Sequence, residues 1–211
     1  MRQYKRLVMA LLLFCLIIVI ESCSSSILVD KWSDPAFNGS PLDNILIIAV
    51  MNNPVQRRIW EDAFSAELSK HGVNSTSSYH LFPDALPDTN QVVEVIRKNN
   101  FEGLLVTRSI EPETKTNYVE PTVTTEQIAR YSNLKKRFVT YYKNVEHPGY
   151  VQSQTINRRT IDIWVIRDEG RMIWSATSNT PELNTAEAVQ KDIADLVIPE
   201  LVSSAIIKTS K

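Results

Sequence analysis

Apolar residues recur along the chain in two different periods, and the changes of period divide it into strands and helices. The continuous apolar run at 44–51 predicts a strand buried on both faces, because it is short and rich in β-branched residues. Between Pro54 and about His71 the apolar residues lie three or four positions apart, which predicts an amphipathic helix ended by Gly72. The residues expected to face the sheet are Val55, Ile59, Ala63, Phe64 and Leu68.

Two further strands and one helix complete the first half of the pattern. Residues 73–79 predict a polar strand near a sheet edge, and residues 103–110 predict a second strand. Residues 90–100 predict a helix capped by Asp88 or Thr89, with its inward face formed by Val92, Val93 and Ile96. Strand, helix, strand, helix and strand in this order predict a layered α/β domain.

The C-terminal part alternates differently. Residues 152–167 alternate as a long strand, residues 168–170 form an Asp-Glu-Gly turn, and residues 171–179 return as the hairpin partner. A final helix capped by Thr185 and kinked or ended by Pro199 carries its apolar face on Ala186, Val189, Ile193, Leu196, Val197 and Leu201. The predicted fold class is α/β (α+β, mixed sheet), a single layered domain with a βαβαβ first half, a C-terminal β-hairpin and a closing helix.

The segment 122–150 has no settled period, and we expect an insertion that is part helix and part loop. Tyrosines give a large contact area with a polar group, so the mixture of aromatic and basic residues there predicts a partner-binding surface. Its members are Tyr131, Lys135, Lys136, Arg137, Tyr141, Tyr142 and Tyr150. Arg158 and Arg159 on the following strand would extend it. The alternative is a solvated arm whose tyrosines pack on the domain's own sheet.

The N-terminus has the organisation of a secretory signal. A basic head precedes an apolar run of 14 residues at 7–20, which spans roughly 21 Å as a helix and is short for a bilayer core of about 30 Å. The predicted divisions are a signal peptide at 1–22, a tether and first strand at 23–42 (the strand at 27–32), and the α/β domain at 43–205.

The sequence Ile20-Glu21-Ser22-Cys23 resembles the lipobox of bacterial lipoproteins. The resemblance implies cleavage before Cys23 and acylation of its thiol, so the lipid chains hold the protein to a membrane. Ser24 after the cysteine implies sorting to the outer membrane, on its periplasmic face. Glu21 departs from the usual small or apolar residue, which keeps open the alternative of an uncleaved N-terminal membrane anchor.

Two blocks resemble uncharacterised bacterial lipoproteins. They are Ile45 to Tyr79, and the strands 160–166 and 170–176 with the helix that follows them. More remotely, the layout is similar to the periplasmic α/β domain of curli-secretion lipoproteins, of penicillin-binding-protein-activator lipoproteins and of the Tol translocation protein. This resemblance implies an assembly or binding module in place of an enzyme.

The net charge and the positions of the cysteines, histidines and glycines exclude several kinds of functional site. Residues 23–211 hold 20 basic and 23 acidic residues, and a net charge of −3 excludes the basic footprint of a nucleic-acid-binding protein. No cysteine follows Cys23, so the domain has no disulfide and no thiol nucleophile. Three distant histidines predict no metal site, and five scattered glycines form no phosphate loop, so we expect no cofactor.

Charged residues also cluster at the start of the first helix. Arg58 and Asp62 form an i,i+4 pair, and together with Arg57 and Glu61 they predict a solvated face. The alternative is that Arg57 or Arg58 holds an anion if the helix start faces a cleft.

Three functions follow as hypotheses. The first is a non-enzymatic envelope lipoprotein that binds a protein partner. The second is a peptidoglycan- or glycan-acting enzyme, which requires a cleft where two carboxylates converge. The third is ring or pore assembly through lateral contacts.

Overall fold

The computed structural model describes residues 26–132, 134–166, 170–181 and 186–208. The predicted signal peptide, Cys23, most of the predicted turn at 168–170 and the Thr185 cap lie outside the described residues. The described strands are β1 Ile27–Ser33, β2 Asn44–Val50, β3 Asn74–Ser77, β4 Gly103–Val119, β5 Thr122–Ser132, β6 Arg137–His147, β7 Tyr150–Val165 and β8 Arg171–Pro181, and the helices are α1 Pro54–Lys70, α2 Thr89–Asn99 and α3 Ala186–Ser203.

Six strands form one mixed sheet in the order β1-β8-β7-β4-β2-β3. Strand β2 pairs in parallel with β3 and with β4, whereas the β4–β7, β7–β8 and β8–β1 pairs are antiparallel. The βαβαβ first half, the β7–β8 hairpin and the closing helix α3 are therefore as predicted. The polar strand β3 lies at an edge, which is also as predicted.

The sheet is covered on both faces by helices. Helices α1 and α3 pack on one face over the larger core, which includes Ile47, Leu105, Ile163 and Trp174. Helix α2 packs on the other face over a smaller cluster formed by Leu46, Ile48, Ile96 and Phe101. Strand β2 contributes alternate residues to both clusters, which explains its continuous apolar run.

Two details of the helices differ from the expectation. Val55 is 60% exposed and Val93 is 41% exposed, so neither faces the sheet. The buried positions of α1 are Arg57, Trp60, Glu61, Phe64 and Leu68, because an ion pair occupies the place expected for apolar residues. Pro199 lies inside α3 and is exposed, so of the two predicted effects, a kink or an end, the helix does not end there.

The prediction of part helix and part loop for 122–150 is wrong. Strands β4 and β7 continue beyond the sheet to the pair Val119–Tyr150, and β5 and β6 then pair from Thr122–His147 to Ser132–Arg137. We call residues 111–157 the arm. Eleven paired residues in each of β5 and β6 make this end roughly 35 Å long at about 3.3 Å a residue.

Candidate functional site

The arm concentrates the exposed apolar and aromatic surface of the described chain. Ten of its fifteen exposed large apolar or aromatic side chains lie between residues 118 and 151. They are Tyr118, Val123, Ile128, Tyr131, Leu134, Phe138, Tyr141, Tyr142, Tyr150 and Val151. Exposed apolar surface concentrated in one region makes that region a candidate site of interaction.

The register of the β5–β6 pair divides the predicted tyrosines between two faces. Tyr131 lies opposite Phe138, and their rings meet edge to face with centroids 5.4 Å apart. Tyr142 lies opposite Gln127 and shares this face, because successive residues of a strand alternate. Tyr141 lies opposite Ile128 on the other face, and Tyr150 lies on β7. The predicted residues are therefore in one arm but not on one surface.

The far end of the arm is cationic. Leu134 at the turn is 94% exposed, and the exposed residues Lys135, Lys136 and Arg137 follow it. Between Glu126 and Glu146 the sequence has five basic residues and only these two acidic ones. The arm thus presents aromatic faces along its length and positive charge at its tip.

The two strands of the hairpin have their main contacts with each other. An isolated two-stranded hairpin is marginally stable in water, and its outer edges present unpaired N–H and C=O groups. No third strand of the described chain pairs with β5 or β6. An added strand or an apolar surface would therefore stabilise the arm.

Arg158 and Arg159 do not extend the arm's surface. The Arg158 guanidinium pairs with Asp30, with Nη2 and Oδ2 3.7 Å apart. Arg159 has the same strand parity as Ile161, so it points into the interface between sheet and helices and is 9% exposed. Its surroundings are described below.

A second charged group is buried where a solvated face was expected. The Arg57 Nε donates to Glu61 Oε1 at 3.1 Å, and both side chains are almost fully buried. The Arg57 Nη2 donates to Ser78 Oγ at 2.7 Å, and its Nη1 donates to the carbonyl groups of Phe82 and Ala85 at 2.9 and 3.0 Å. The guanidinium therefore ties α1 to the loop that follows β3.

The Glu61 carboxylate also accepts hydrogen bonds from groups other than Arg57. Its Oε1 accepts from Ser78 Oγ at 2.6 Å and from the Ala49 N–H at 3.0 Å, and its Oε2 accepts from the Tyr79 N–H at 3.0 Å. Four of the five N–H groups of the guanidinium donate within the chain, and the carboxylate accepts four hydrogen bonds. Because the Arg57 charge is buried and already paired with Glu61, it ties elements of the fold together in place of holding an anion.

The predicted surface pair of Arg58 and Asp62 is joined through a tyrosine. The Tyr79 hydroxyl donates to Asp62 Oδ1 at 2.8 Å, and the Arg58 guanidinium carbon lies 5.6 Å from the centre of the Tyr79 ring. Burial and the hydrogen bond to Asp62 raise the pKa of Tyr79. The group joins α1 to the residues that follow β3 and lies outside both cavities described below.

Metal ligands do not converge in the part of the chain that the structure describes, because no group of three His, Cys, Asp or Glu side chains is suitably placed. The described residues form a cavity of about 380 Å³ between the sheet and helices α1 and α3, and another of about 770 Å³ between the sheet and α2. No carboxylate lines either cavity among the described residues. In the same residues, no helix combines the length and apolar character needed to cross a bilayer.

One pair of carboxyl groups does meet, on the outer side of the contact between α1 and α3. Glu67 and Asp195 share a hydrogen bond, and Lys70 lies beside them. Burial, followed by the hydrogen bond and the charge of Glu67, raises the pKa of Asp195. The pKa of Glu67 is lowered, because hydrogen bonds to Lys70 and Asp195 outweigh its burial.

Replacing Asp195 by asparagine is expected to stabilise the protein at pH 7 by about 0.2–1 kcal/mol, the range for exposed charge contacts. Because the native pKa is raised, the contribution of Asp195 is full below its ordinary value of 3.8 and is lost as the pH rises through the raised pKa. The Tm difference between Asp195→Asn and wild type should therefore be positive at pH 7 and vanish near pH 3. Glu94→Gln on α2 is the control, and an equal gain there would contradict the assignment.

Comparisons with known proteins give only distant similarity. No family model and no curated protein matches the chain. It is similar to a PelC variant dodecamer from Paraburkholderia phytofirmans, with 14% identity over 82% of this chain and 96% of that one and a TM-score of 0.46. A second crystal form of the PelC dodecamer gives 13% identity, coverage of 87% and 99%, and a TM-score of 0.45.

A PDZ domain protein from Parabacteroides distasonis is also similar, with 11% identity, coverage of 89% of this chain and 38% of that one, and a TM-score of 0.39. Similarity at this level assigns neither a family nor an activity. The resemblance to curli-secretion and penicillin-binding-protein-activator lipoproteins stays a prediction.

Proposed function

We propose that the chain is a membrane-anchored periplasmic lipoprotein whose α/β domain is non-catalytic and binds a protein partner through the arm. The observation that carries this proposal is the arm itself. It is a long two-stranded ribbon with aromatic residues exposed on both faces. These aromatic side chains belong to neither hydrophobic core of the domain, so they are available for contact with a partner protein.

Strand addition is the mode of binding that fits the arm. A partner strand that pairs with the outer edge of β5 or β6 would satisfy their unpaired backbone groups and cover alternate side chains. Phe138 and Tyr142 on one face and Tyr141 on the other would then give specificity. Aromatic residues are enriched among the side chains that dominate binding energy at protein interfaces.

The proposed lipid anchor would hold the α/β domain close to the membrane. Ser26 is buried, its Oγ lies 2.9 Å from Thr180 Oγ1, and its N–H donates to Asp192 Oδ2 at 3.2 Å. Three residue steps separate Cys23 from this attached residue, a span of at most about 11 Å. Confinement of this kind raises the effective concentration of a membrane-associated partner without any new contact.

A crosslinking experiment in intact envelopes tests the role of the arm. A photoreactive amino acid at position 138 should give one discrete crosslinked protein, whereas the same probe at position 55, which is similarly exposed, should give none. Adding Tyr131→Ser and Tyr142→Ser to the chain that carries the probe at position 138 should reduce the product at least tenfold. The Tm should stay unchanged, because these residues lie outside both cores.

The mass of the crosslinked product identifies the partner. A product of twice the chain mass would indicate a second copy, and a different mass would indicate another envelope protein. Equal crosslinking at positions 138 and 55, or a product that survives the two serine substitutions, would contradict the proposal.

A further inference from the structure

The cavity of about 380 Å³ lies on the face of the sheet covered by α1 and α3, next to the start of the arm. Strands β4, β7 and β8 form its floor, and its wall includes Trp60 from α1 and Gln190 from α3. Sites for small molecules measure roughly 300–1,000 Å³, so this cavity can take a small ligand.

The Arg159 side chain lines this cavity, and it forms no ion pair with the described residues. Its guanidinium carbon lies 4.0 Å from the centre of the Trp60 ring, and its Nη2 donates to Ser109 Oγ at 2.7 Å. Its Nη1 is buried and has no hydrogen-bond partner among the described residues. Burial lowers the pKa of Arg159 to about 10, so the side chain stays charged at neutral pH.

The charge of Arg159 is not neutralised by the described chain. None of the ion pairs between described residues includes it, although its neighbour Arg158 is paired with Asp30. A buried charge without a counter-ion is strongly destabilising. The stacking on Trp60 and the bond to Ser109 offset this only in part, because neither group is an anion.

A second unsatisfied group lies in the same cavity. Gln190 is almost fully buried, and its Nε2 donates to Gln56 Oε1 at 2.9 Å. Its Oε1 is buried and has no partner among the described residues. A ligand that satisfies both groups would therefore accept a hydrogen bond from Arg159 and donate one to Gln190.

We propose that this cavity binds a carboxylate that carries a hydroxyl or N–H donor close to it. Arg158 also lines the cavity, but its charge is paired with Asp30, so one uncompensated guanidinium remains to balance one negative charge. A dianion such as phosphate would leave a negative charge buried. The planar fork of arginine suits a carboxylate, which can accept two parallel N–H bonds. A small hydroxy acid and the C-terminal carboxylate of a peptide share this chemistry. This site is independent of the partner-binding role of the arm.

Thermal unfolding and calorimetric titration of the full chain in mild detergent test the proposal. The probes are lactate, acetate, alanyl-alanine and alanyl-alanine amide. Lactate or alanyl-alanine should raise the Tm, since a ligand that binds only the native state stabilises it. The amide, which has no carboxylate, should not. Binding of lactate alone indicates a free acid, and binding of alanyl-alanine alone indicates a chain end.

Arg159→Met should weaken the binding of the effective probe at least tenfold, since hydrogen bonds to a charged group are the strong ones. The same substitution should raise the Tm without ligand, because it removes an uncompensated buried charge. Arg171→Met is the matched control and should leave the affinity unchanged, because Arg171 is paired with Asp34 and does not line the cavity. Gln190→Leu should weaken the binding of lactate but not that of acetate, because acetate has no hydrogen-bond donor for Gln190.

Two binding results would overturn the proposal. One is the absence of any Tm change with lactate, acetate and alanyl-alanine at millimolar concentration. The other is a Tm increase that persists in Arg159→Met, or that the amide reproduces. A loss of stability in Arg159→Met without ligand would also count against it, because it would show that the chain itself neutralises the charge.

Discussion

Replacing Glu61 by alanine is expected to lower the free energy of unfolding by about 3–5 kcal/mol. The substitution leaves the Arg57 guanidinium buried without its carboxylate, and it also removes the acceptor of Ser78 and of two backbone N–H groups. Urea denaturation at pH 7 measures the loss. Small proteins are stable by only about 5–15 kcal/mol, so a loss of this size can prevent folding. Glu61→Gln keeps the side-chain volume and is therefore used as a milder second variant.

Two controls separate burial from charge. Glu67→Ala, in the same helix but in a partly exposed pair with Lys70, should cost less than about 1 kcal/mol. The double substitution Arg57→Met with Glu61→Leu should recover the part of the loss that comes from the uncompensated Arg57 charge, but not the part that comes from the N–H groups of Ala49 and Tyr79, which stay without their acceptor. A cost for Glu61→Ala no greater than that of Glu67→Ala would contradict the assigned role.

Replacing Cys23 by serine is expected to abolish acylation and the cleavage that depends on it. Intact-mass measurement of the wild-type protein should show a chain that begins at Cys23 and carries acyl groups. Each buried methylene of an acyl chain contributes about 0.8 kcal/mol, so a multiply acylated cysteine binds a membrane stably. The serine variant should retain residues 1–22 and carry no acyl mass.

Cys15→Ser is the matched control, because it removes the other cysteine of the sequence and should leave the mature mass unchanged. A wild-type chain that retains Met1 would contradict the lipoprotein proposal and favour the uncleaved anchor. Processing that is unaffected in Cys23→Ser would contradict it as well.

The order of the elements was predictable because burial leaves a period in the sequence. Strand β2 reads as a continuous apolar run because both of its faces are covered, and α1 is capped by Asn53 Oδ1, which accepts from the N–H groups of Val55 and Gln56. The β5–β6 hairpin was missed for the same reason. Neither of its faces is buried, so its sequence carries no alternation of apolar and polar residues.

The buried charges were missed because a charged residue in a sequence normally indicates a solvated face. Their positions do carry a signal. Arg159 has the strand parity of Ile161 and Ile163, and Glu61 lies on the helical face of Phe64 and Leu68, one turn before the first of them. A charged residue in register with an apolar stripe could therefore have identified both sites, although not which one lacks a counter-ion.

The two edges of the main sheet discourage growth by further strands. At one edge β3 has only four residues, all of them polar, and at the other edge β1 is interrupted by a bulge beside Asp30, whose φ is +50°. Short edges and bulges of this kind oppose edge-to-edge aggregation. Even at high local concentration the molecules would therefore resist stacking into fibrils through their main sheets, and the unpaired edges of the β5–β6 hairpin would remain the places where an incoming strand could pair.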